Sequence, residues 1–334
     1  MLEQIMLIFG AALTVALGFT PVARRLAFRT NMVDRPGGRK FHANPTPLLG
    51  GVAIFAAVIV ALIAFGDRFY VGEVAAIIIG ATLISTLGFW DDRVSLPPWA
   101  KLLGQMIPVA VLVIAGVRIS VFPSPVLNII ATFAWVLFIT NAVNFLDNMD
   151  GLAAGVAAVA SGFFVLLAAL SGQYLVGVLA AALLGACLGF LVYNFNPASI
   201  FMGDTGSLFI GFLLAAVGIK LRFPANVTAV TWMIPPLVLG VPILDTSLVI
   251  ISRLRRRLNP LTTAGKDHLS HRLVYLGLTR REAVMAIYLI GGIFGMIAIF
   301  VTQASILEGA MVAAVVLFGC LLVIWRMERV PLNR

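Results

Sequence analysis

Charge is what this 334-residue chain has least of. Asp, Glu, Lys and Arg together make up 11% of it, against about 25% in a typical soluble domain. Hydrophobic residues account for 61%, before the 31 glycines are added. That balance excludes a soluble fold of any class, because too few polar residues remain to cover a surface. Cysteine is scarce too: Cys187 and Cys320 both lie inside apolar runs, at no spacing that fits a disulfide framework or a zinc site. A membrane barrel is excluded in its turn, since its strands would alternate apolar and polar over about ten residues and the runs here are continuous. Internal repeats, low-complexity tracts and a soluble domain are also lacking.

What the chain does have is eleven apolar runs of roughly membrane-spanning length. They fall near residues 2–22, 49–65, 74–90, 102–116, 126–143, 152–170, 174–192, 207–221, 228–251, 283–301 and 309–325. The pattern predicts an all-α integral membrane protein: one polytopic bundle of about eleven transmembrane helices, a single domain over 1–334. Glu3 precedes the first run with no basic residue ahead of it and no small-residue cleavage site behind, which predicts a retained helix rather than a signal peptide. Prolines 108, 235, 236 and 242 fall inside runs and predict kinks or broken helices.

Eleven spans put the termini on opposite faces. One face holds four basic residues, Arg68, Arg118, Lys220 and Arg222, and four acids, Glu3, Asp67, Glu73 and Glu308. The other therefore carries the whole net charge of +9. A Lys/Arg excess marks the cytoplasmic side, so the N-terminus is expected outside. A basic charge spread over one membrane face suggests the bilayer as partner, not nucleic acid. All three histidines, and Asp34, Asp91, Asp92, Asp147, Asp150, Asp204, Asp245 and Asp267, share that cytoplasmic face. Carboxylates at the ends of apolar runs are costly unless partnered, and a divalent cation is an economical shared partner.

Five cytoplasmic segments carry the chemistry. The first runs from Val33 through Asp34-Arg35-Pro36, Arg39, Lys40 and His42 to Gly50-Gly51; such a loop can hold phosphate through basic side chains and free N–H groups, or serve only as a topology determinant. The second contains Asp91, Asp92 and Lys101. Neighbouring carboxylates on a helix diverge by about 100°, so the two aspartates are expected to do different jobs. In the third, Asn141, Asn144, Asp147 and Asp150 recur every three residues, which predicts a single polar helical face. The fourth joins Asn194, Asn196 and Phe201 to Gly203-Asp204-Thr205-Gly206; the glycines are expected to let backbone approach a ligand, with Asp204 as a plain helix N-cap the competing reading. The fifth holds Arg253 and Arg255-Arg256-Arg257, most simply an anchor on anionic lipid, then Asp267-His268-Leu269-Ser270-His271-Arg272. His268 and His271 without a third ligand suit an anionic substrate better than zinc. Magnesium needs only one or two carboxylates plus substrate phosphates, and phosphoryl transfer needs positioning and charge neutralisation above all. A secondary transporter would instead place acids near mid-span in two repeated halves, and neither is seen.

These segments together make a resemblance visible. The motifs Asp34-Arg35-Pro36, Gly50-Gly51, 88–92, 141–151, 194–198, 202–207, 242–246 (PILDT) and 267–272 stand nearly along the whole chain in the order found in the polyprenyl-phosphate N-acetylhexosamine-1-phosphate transferases of glycosyltransferase family 4. The chain resembles that family. The resemblance implies a multi-pass enzyme of the bacterial plasma membrane, its active site cytoplasmic, that transfers GlcNAc-1-phosphate from UDP-GlcNAc to undecaprenyl phosphate, releases UMP, and uses Mg²⁺ or Mn²⁺. It implies Asp204 and Asp92 as metal ligands and Asp91 as the group that orients or deprotonates the lipid phosphate. By the same resemblance Asn144, Asp147, Asp150, Asn194 and Phe201 bind the nucleotide, Asn141 is a further substrate-binding residue, Lys101 and the first-loop basic residues face the lipid phosphate, and His268, His271 and Arg272 hold the sugar and diphosphate. The family's peptidoglycan-precursor branch, acting on UDP-MurNAc-pentapeptide, looks different in its last loop, a run of three histidines. The segment here is nearer the sugar-only pattern, with Ser270 where that branch often has a further histidine. On oligomeric state the sequence is silent; the resemblance makes a homodimer plausible.

Overall fold

The computed structural model describes residues 1–34, 45–65, 71–260, 262–263 and 265–330. Every apolar run named above is helical. Eight helices among the described residues are long and apolar enough to cross a membrane, or nine if a bent pair counts as one span. Three runs account for the difference from eleven. Those at 49–65 and 102–116 give helices of 16 and 17 residues. The run at 228–251 is the bent pair, Thr228–Val238 and Gly240–Arg255, which meet at 75°. That break follows Pro235 and Pro236, as expected of residues that cannot donate to the preceding turn. By contrast the helix holding Pro108 continues to Ile114.

The chain divides into two compact units, Met1–Lys220 and Leu221–Arg334. The first contains α1 (Leu2–Arg29), α2 (Gly50–Phe65), α3 (Val71–Val94), α4 (Pro98–Ile114), α5 (Pro125–Leu146), α6 (Leu152–Leu170), α7 (Tyr174–Asn194) and α8 (Gly203–Lys220). Helix α8 is its centre: 83% of its apolar window is buried, and it packs on α2, α3, α5, α6 and α7. On α1 the buried positions Ile5, Ile8, Ala12, Ala16, Thr20, Ala23 and Ala27 step by three or four. They form a mostly small-residue seam that lets α7 pack closely. Cys187 is buried in α7, a packing residue as its apolar setting predicts. One element is unforeseen in an all-helical reading: β1 (Val33–Asp34) pairs antiparallel with β2 (Thr46–Pro47).

The second unit contains α9 (Thr228–Thr231), α10 (Ile234–Val238), α11 (Gly240–Arg255), α12 (Leu269–Tyr275), α13 (Arg280–Val301) and α14 (Ile306–Met327). Two capping boxes, Thr279 with Glu282 and Ser305 with Glu308, start α13 and α14. Each satisfies two backbone donors reciprocally, and so begins its helix three residues before the apolar run does.

Candidate active site

Helices α3 and α5 end, and α4 and α8 begin, at the place where the polar residues of the first unit meet. Asp92, near the end of α3, accepts hydrogen bonds from the backbone N–H groups of Asp204 (2.7 Å) and Thr205 (3.0 Å) and from the Thr205 hydroxyl (2.7 Å). It is the cap of α8, supplied from another helix. Gly203 makes this approach feasible: its φ is +66°, and a Cβ there would strike the Asp92 carboxylate.

Because Asp92 satisfies those donors, Asp204 is not its own helix's cap. Its carboxylate turns to other partners. One oxygen accepts from Asn144 Nδ2 at 2.8 Å, and the other contacts the Lys101 ammonium. Lys101 also lies 2.9 Å from Asp91 Oδ2 and 3.3 Å from Asn144 Oδ1. Three oxygen-bearing side chains from α3, α5 and α8 thus surround one cationic nitrogen carried by α4. Asp91 and Asp92 do take different jobs, as the 100° divergence requires: Asp91 faces Lys101 and accepts the Leu96 N–H at 2.6 Å, while Asp92 holds α8.

The expected polar stripe on a single helical face is corrected by the structure. Helix α5 ends at Leu146 with Asp147 as its C-cap, and Gly151 enters α6 at φ +76°. Only Asn141 and Asn144 stand on the helix. The cause is local: Asn148 turns back to the Phe145 carbonyl (2.9 Å) and Gly151 supplies the left-handed residue, so turn chemistry overrides the three-residue period. The four side chains consequently meet different partners. Asn141 exchanges hydrogen bonds with buried Gln105. Asp150 accepts from Asn196 Nδ2 and Ala198 N, both at 2.9 Å. Asn194 braces the same turn, accepting from Gly151 N and donating to the Ile200 carbonyl. Phe201 is fixed through its backbone to Pro47 and Gly50. Asp147 has no such partner among the described residues. Burial, with Asp204, Asp92 and Asp150 nearby, pushes its carboxyl up to about 8.

The glycines beside Asp204 serve close packing. Gly203 faces Asp92, and Gly206 faces Gly51 so closely that a Cβ on either would meet the other's backbone. The first-loop basic residues Arg35, Arg39 and Lys40, and His42, lie outside the described residues.

His268, His271 and Arg272 belong to the second unit. His268 Nδ1 lies 2.8 Å from Asp245 Oδ2, and its ring stands edge-on to His271, centroids 5.8 Å apart. Burial and the charge of His268 push His271 down to about 4. Arg272 is buried and donates to the Asp267 carbonyl, Ser252, Glu328 and the Met327 carbonyl. Asp267 is held by Arg253 through two bonds of 3.0 Å and by Arg256 at 2.5 Å. Burial alone would raise its carboxyl; these guanidinium groups outweigh that and hold it at about 2.

Motif reading passed over Gln105, Thr205, Ser207 and Asp245 as site residues. Thr205 and Ser207 (2.8 Å from Asn144 Nδ2) carried a signal in their place at a helix start; Asp245 carried one in its PILDT motif, and Gln105 only its polarity inside an apolar run.

Fold and site define a polytopic membrane protein with a carboxylate–ammonium cluster where four helix ends meet. Residues 74–222 match the family model described as glycosyl transferase family 4. The chain is 37% identical to the probable undecaprenyl-phosphate N-acetylglucosaminyl 1-phosphate transferase of Bacillus subtilis, over 91% of this chain and 86% of that one. It is 36% identical to the decaprenyl-phosphate N-acetylglucosaminephosphotransferase of Mycolicibacterium smegmatis, over 87% and 80%. With a phospho-N-acetylmuramoyl-pentapeptide-transferase of Geobacillus it shares 31%, over 90% and 99%. The chain belongs to glycosyl transferase family 4.

Proposed function

We propose that the protein transfers GlcNAc-1-phosphate from UDP-GlcNAc to undecaprenyl phosphate, giving undecaprenyl-diphospho-GlcNAc and UMP, as a first membrane step of envelope glycan assembly. The observation that carries the chemistry is the release of Asp204 from capping duty, which leaves its carboxylate beside Asp91, Asn144 and Lys101. The substrate choice is supported by the relatives that act on N-acetylglucosamine, 36–37% identical, against 31% for the muramoyl-pentapeptide enzyme. The segment 267–272, with two histidines rather than three, points the same way.

In this reading an oxygen of the lipid phosphate attacks the sugar-bearing phosphorus of the donor. The bond between the donor's two phosphates breaks, and UMP leaves. Asp91 takes or orients the proton of the lipid phosphate, and Lys101 supplies positive charge beside it. Asn144 fixes the Asp204 carboxylate, and His268 with its neighbours binds the donor's sugar-phosphate end. The cytoplasmic orientation rests on the basic excess of that face.

Among the described residues no three His, Cys, Asp or Glu side chains form a ready metal cage. The donor set still fits Mg²⁺ or Mn²⁺: two carboxylates and an amide oxygen already surround a cationic nitrogen, and such ions take their remaining ligands from water and phosphate. Asp204 would hold the ion; Asp92, the other ligand that the resemblance implies, could join only by giving up its bonds to α8. When bound, the ion neutralises the donor's diphosphate.

One phosphoanhydride replaces another, so the reaction should run readily in both directions. Purified protein with Mg²⁺ and undecaprenyl phosphate is expected to exchange labelled UMP into UDP-GlcNAc, but not UMP into UDP-MurNAc-pentapeptide offered alongside. Absence of exchange with every UDP-N-acetylhexosamine would overturn the proposal.

A further inference from the structure

The PILDT motif, residues 242–246, has no part in the chemistry described so far. Its Asp245 lies in the middle of α11 and is 1% exposed. A carboxylate there needs partners for its acceptor oxygens, and it has one for each. Oδ2 lies 2.8 Å from His268 Nδ1. Oδ1 accepts the backbone N–H of Leu269 at 2.7 Å. One side chain thus grips both the ring and the peptide that follows it.

An ionised carboxylate can only accept, so the ring nitrogen facing it must carry the hydrogen. His268 is thereby fixed as the Nδ1–H form, and Nε2 makes no hydrogen bond among the described residues. We infer that Asp245 is a positioning residue for the transfer reaction: it sets the tautomer and the direction of His268, so that Nε2 faces the sugar-phosphate end of a nucleotide-sugar donor. This rests on the donor-binding role proposed for His268. The second grip matters as much as the first. Without the Leu269 bond, the segment carrying His268 could shift along α11 while keeping its contact to Asp245. With both bonds the imidazole has neither translation nor tautomer left free, and such preorganisation is what a neutral or charged ring needs to meet phosphate oxygens at a fixed place.

The neighbours are consistent with a single working imidazole. Asp267 is fully engaged with Arg253 and Arg256, so it does not compete with Asp245 for the ring. His271 stands edge-on to His268, and burial above all pushes its imidazole down from the ordinary range.

The first measurement needs no variant. In ¹⁵N-histidine-labelled protein at alkaline pH, with His42→Gln and His271→Gln used for assignment, the neutral His268 is expected as the Nδ1–H tautomer. The Nε2–H tautomer would overturn the inference. Kinetics then separate positioning from mere support. Asp245→Asn should lower kcat/KM for UDP-GlcNAc by about 10–100-fold, the scale on which a metal-bound imidazole suffers when it loses the partner that orients it. The KM for undecaprenyl phosphate should stay within about twofold. In a His268→Ala background the same substitution should add less than about threefold, because its effect runs through the ring. An undiminished loss in that background would mean that Asp245 serves only the backbone, and the inference fails. If His268→Ala keeps wild-type donor kinetics, the donor-binding role of His268 falls and this inference with it. If His268→Ala is defective while Asp245→Asn is not, the positioning role alone falls.

Discussion

The two units treat buried carboxylates in opposite ways. In the second unit Asp267 is matched by Arg253 and Arg256, and Glu328 by Arg272 and Arg255. In the first, Asp91 and Asp204 share the ammonium of Lys101. Asp92 is spent on a helix start, and Asp147 gains only further negative neighbours. Matched charge is a device for holding a fold. Unmatched charge costs stability, and it persists where something bound will balance it. The difference sets the Asp267 and Glu328 pairs apart from the Asp91–Asp204 cluster without reference to sequence motifs.

The sharpest way to break that contrast is to exchange the expected costs. Asp204→Asn should lower UMP exchange by about 10²–10³-fold, the scale of losing one electrostatic contact to the reacting phosphates, with little change in thermal unfolding. Asp267→Asn should do the reverse. It leaves Arg253 buried without its bidentate partner, at about 3–5 kcal/mol, read by thermal unfolding in detergent. Its acid dependence follows from the sign of the shift. The folded group titrates at about 2, below its ordinary 3.8, so its stabilisation is full above pH 4 and is lost as pH falls toward 2. Asp267→Asn should abolish that acid limb. If Asp204→Asn unfolds the protein while Asp267→Asn spares it, scaffold and site have been assigned the wrong way round.

Asp92→Asn tests the boundary between the two classes. As the cap of α8 it should cost about 1–2 kcal/mol in unfolding. It should also lower exchange, because the helix start it fixes carries Asp204. Full activity with reduced stability would show that α8 needs no outside cap to aim Asp204.

How much of this could be read from the chain depends on the range of the interaction. Apolar runs report their own helices, so the membrane class and the positions of the helical segments were legible. The capping boxes at Thr279 and Ser305 were written in sequence too, as Thr-x-x-Glu and Ser-x-x-Glu, but an apolar count starts only after them. The end of α5 was misread because a three-residue period in Asn and Asp is also a run of turn-forming residues. What could not be read is the crossed capping. Asp92 and Asp204 are 112 positions apart, and each looked like a ligand. Only their placement shows that one carries the helix so that the other need not. Asp245 was partly mute: its PILDT motif marks the position, but an acid in an apolar run says that it has a partner, not which one.

The smallest effect concerns Asp147, and its sign is the useful part. Its folded pKa of about 8 stands above the ordinary 3.8, so between those values the folded protein binds more protons than the unfolded chain. Stability must then fall as pH rises from 4 to 8. Asp147→Asn removes the titrating group while nearly keeping its shape. The variant should therefore unfold at a higher temperature than wild type at pH 8, with the gap closing toward pH 4. Added Mg²⁺ should narrow the gap at pH 8 by lowering the repulsion that Asp147 feels from Asp204 and Asp92. A variant less stable than wild type at pH 8 would mean that Asp147 is already balanced, and that the contrast between the two units is weaker than its neighbours imply.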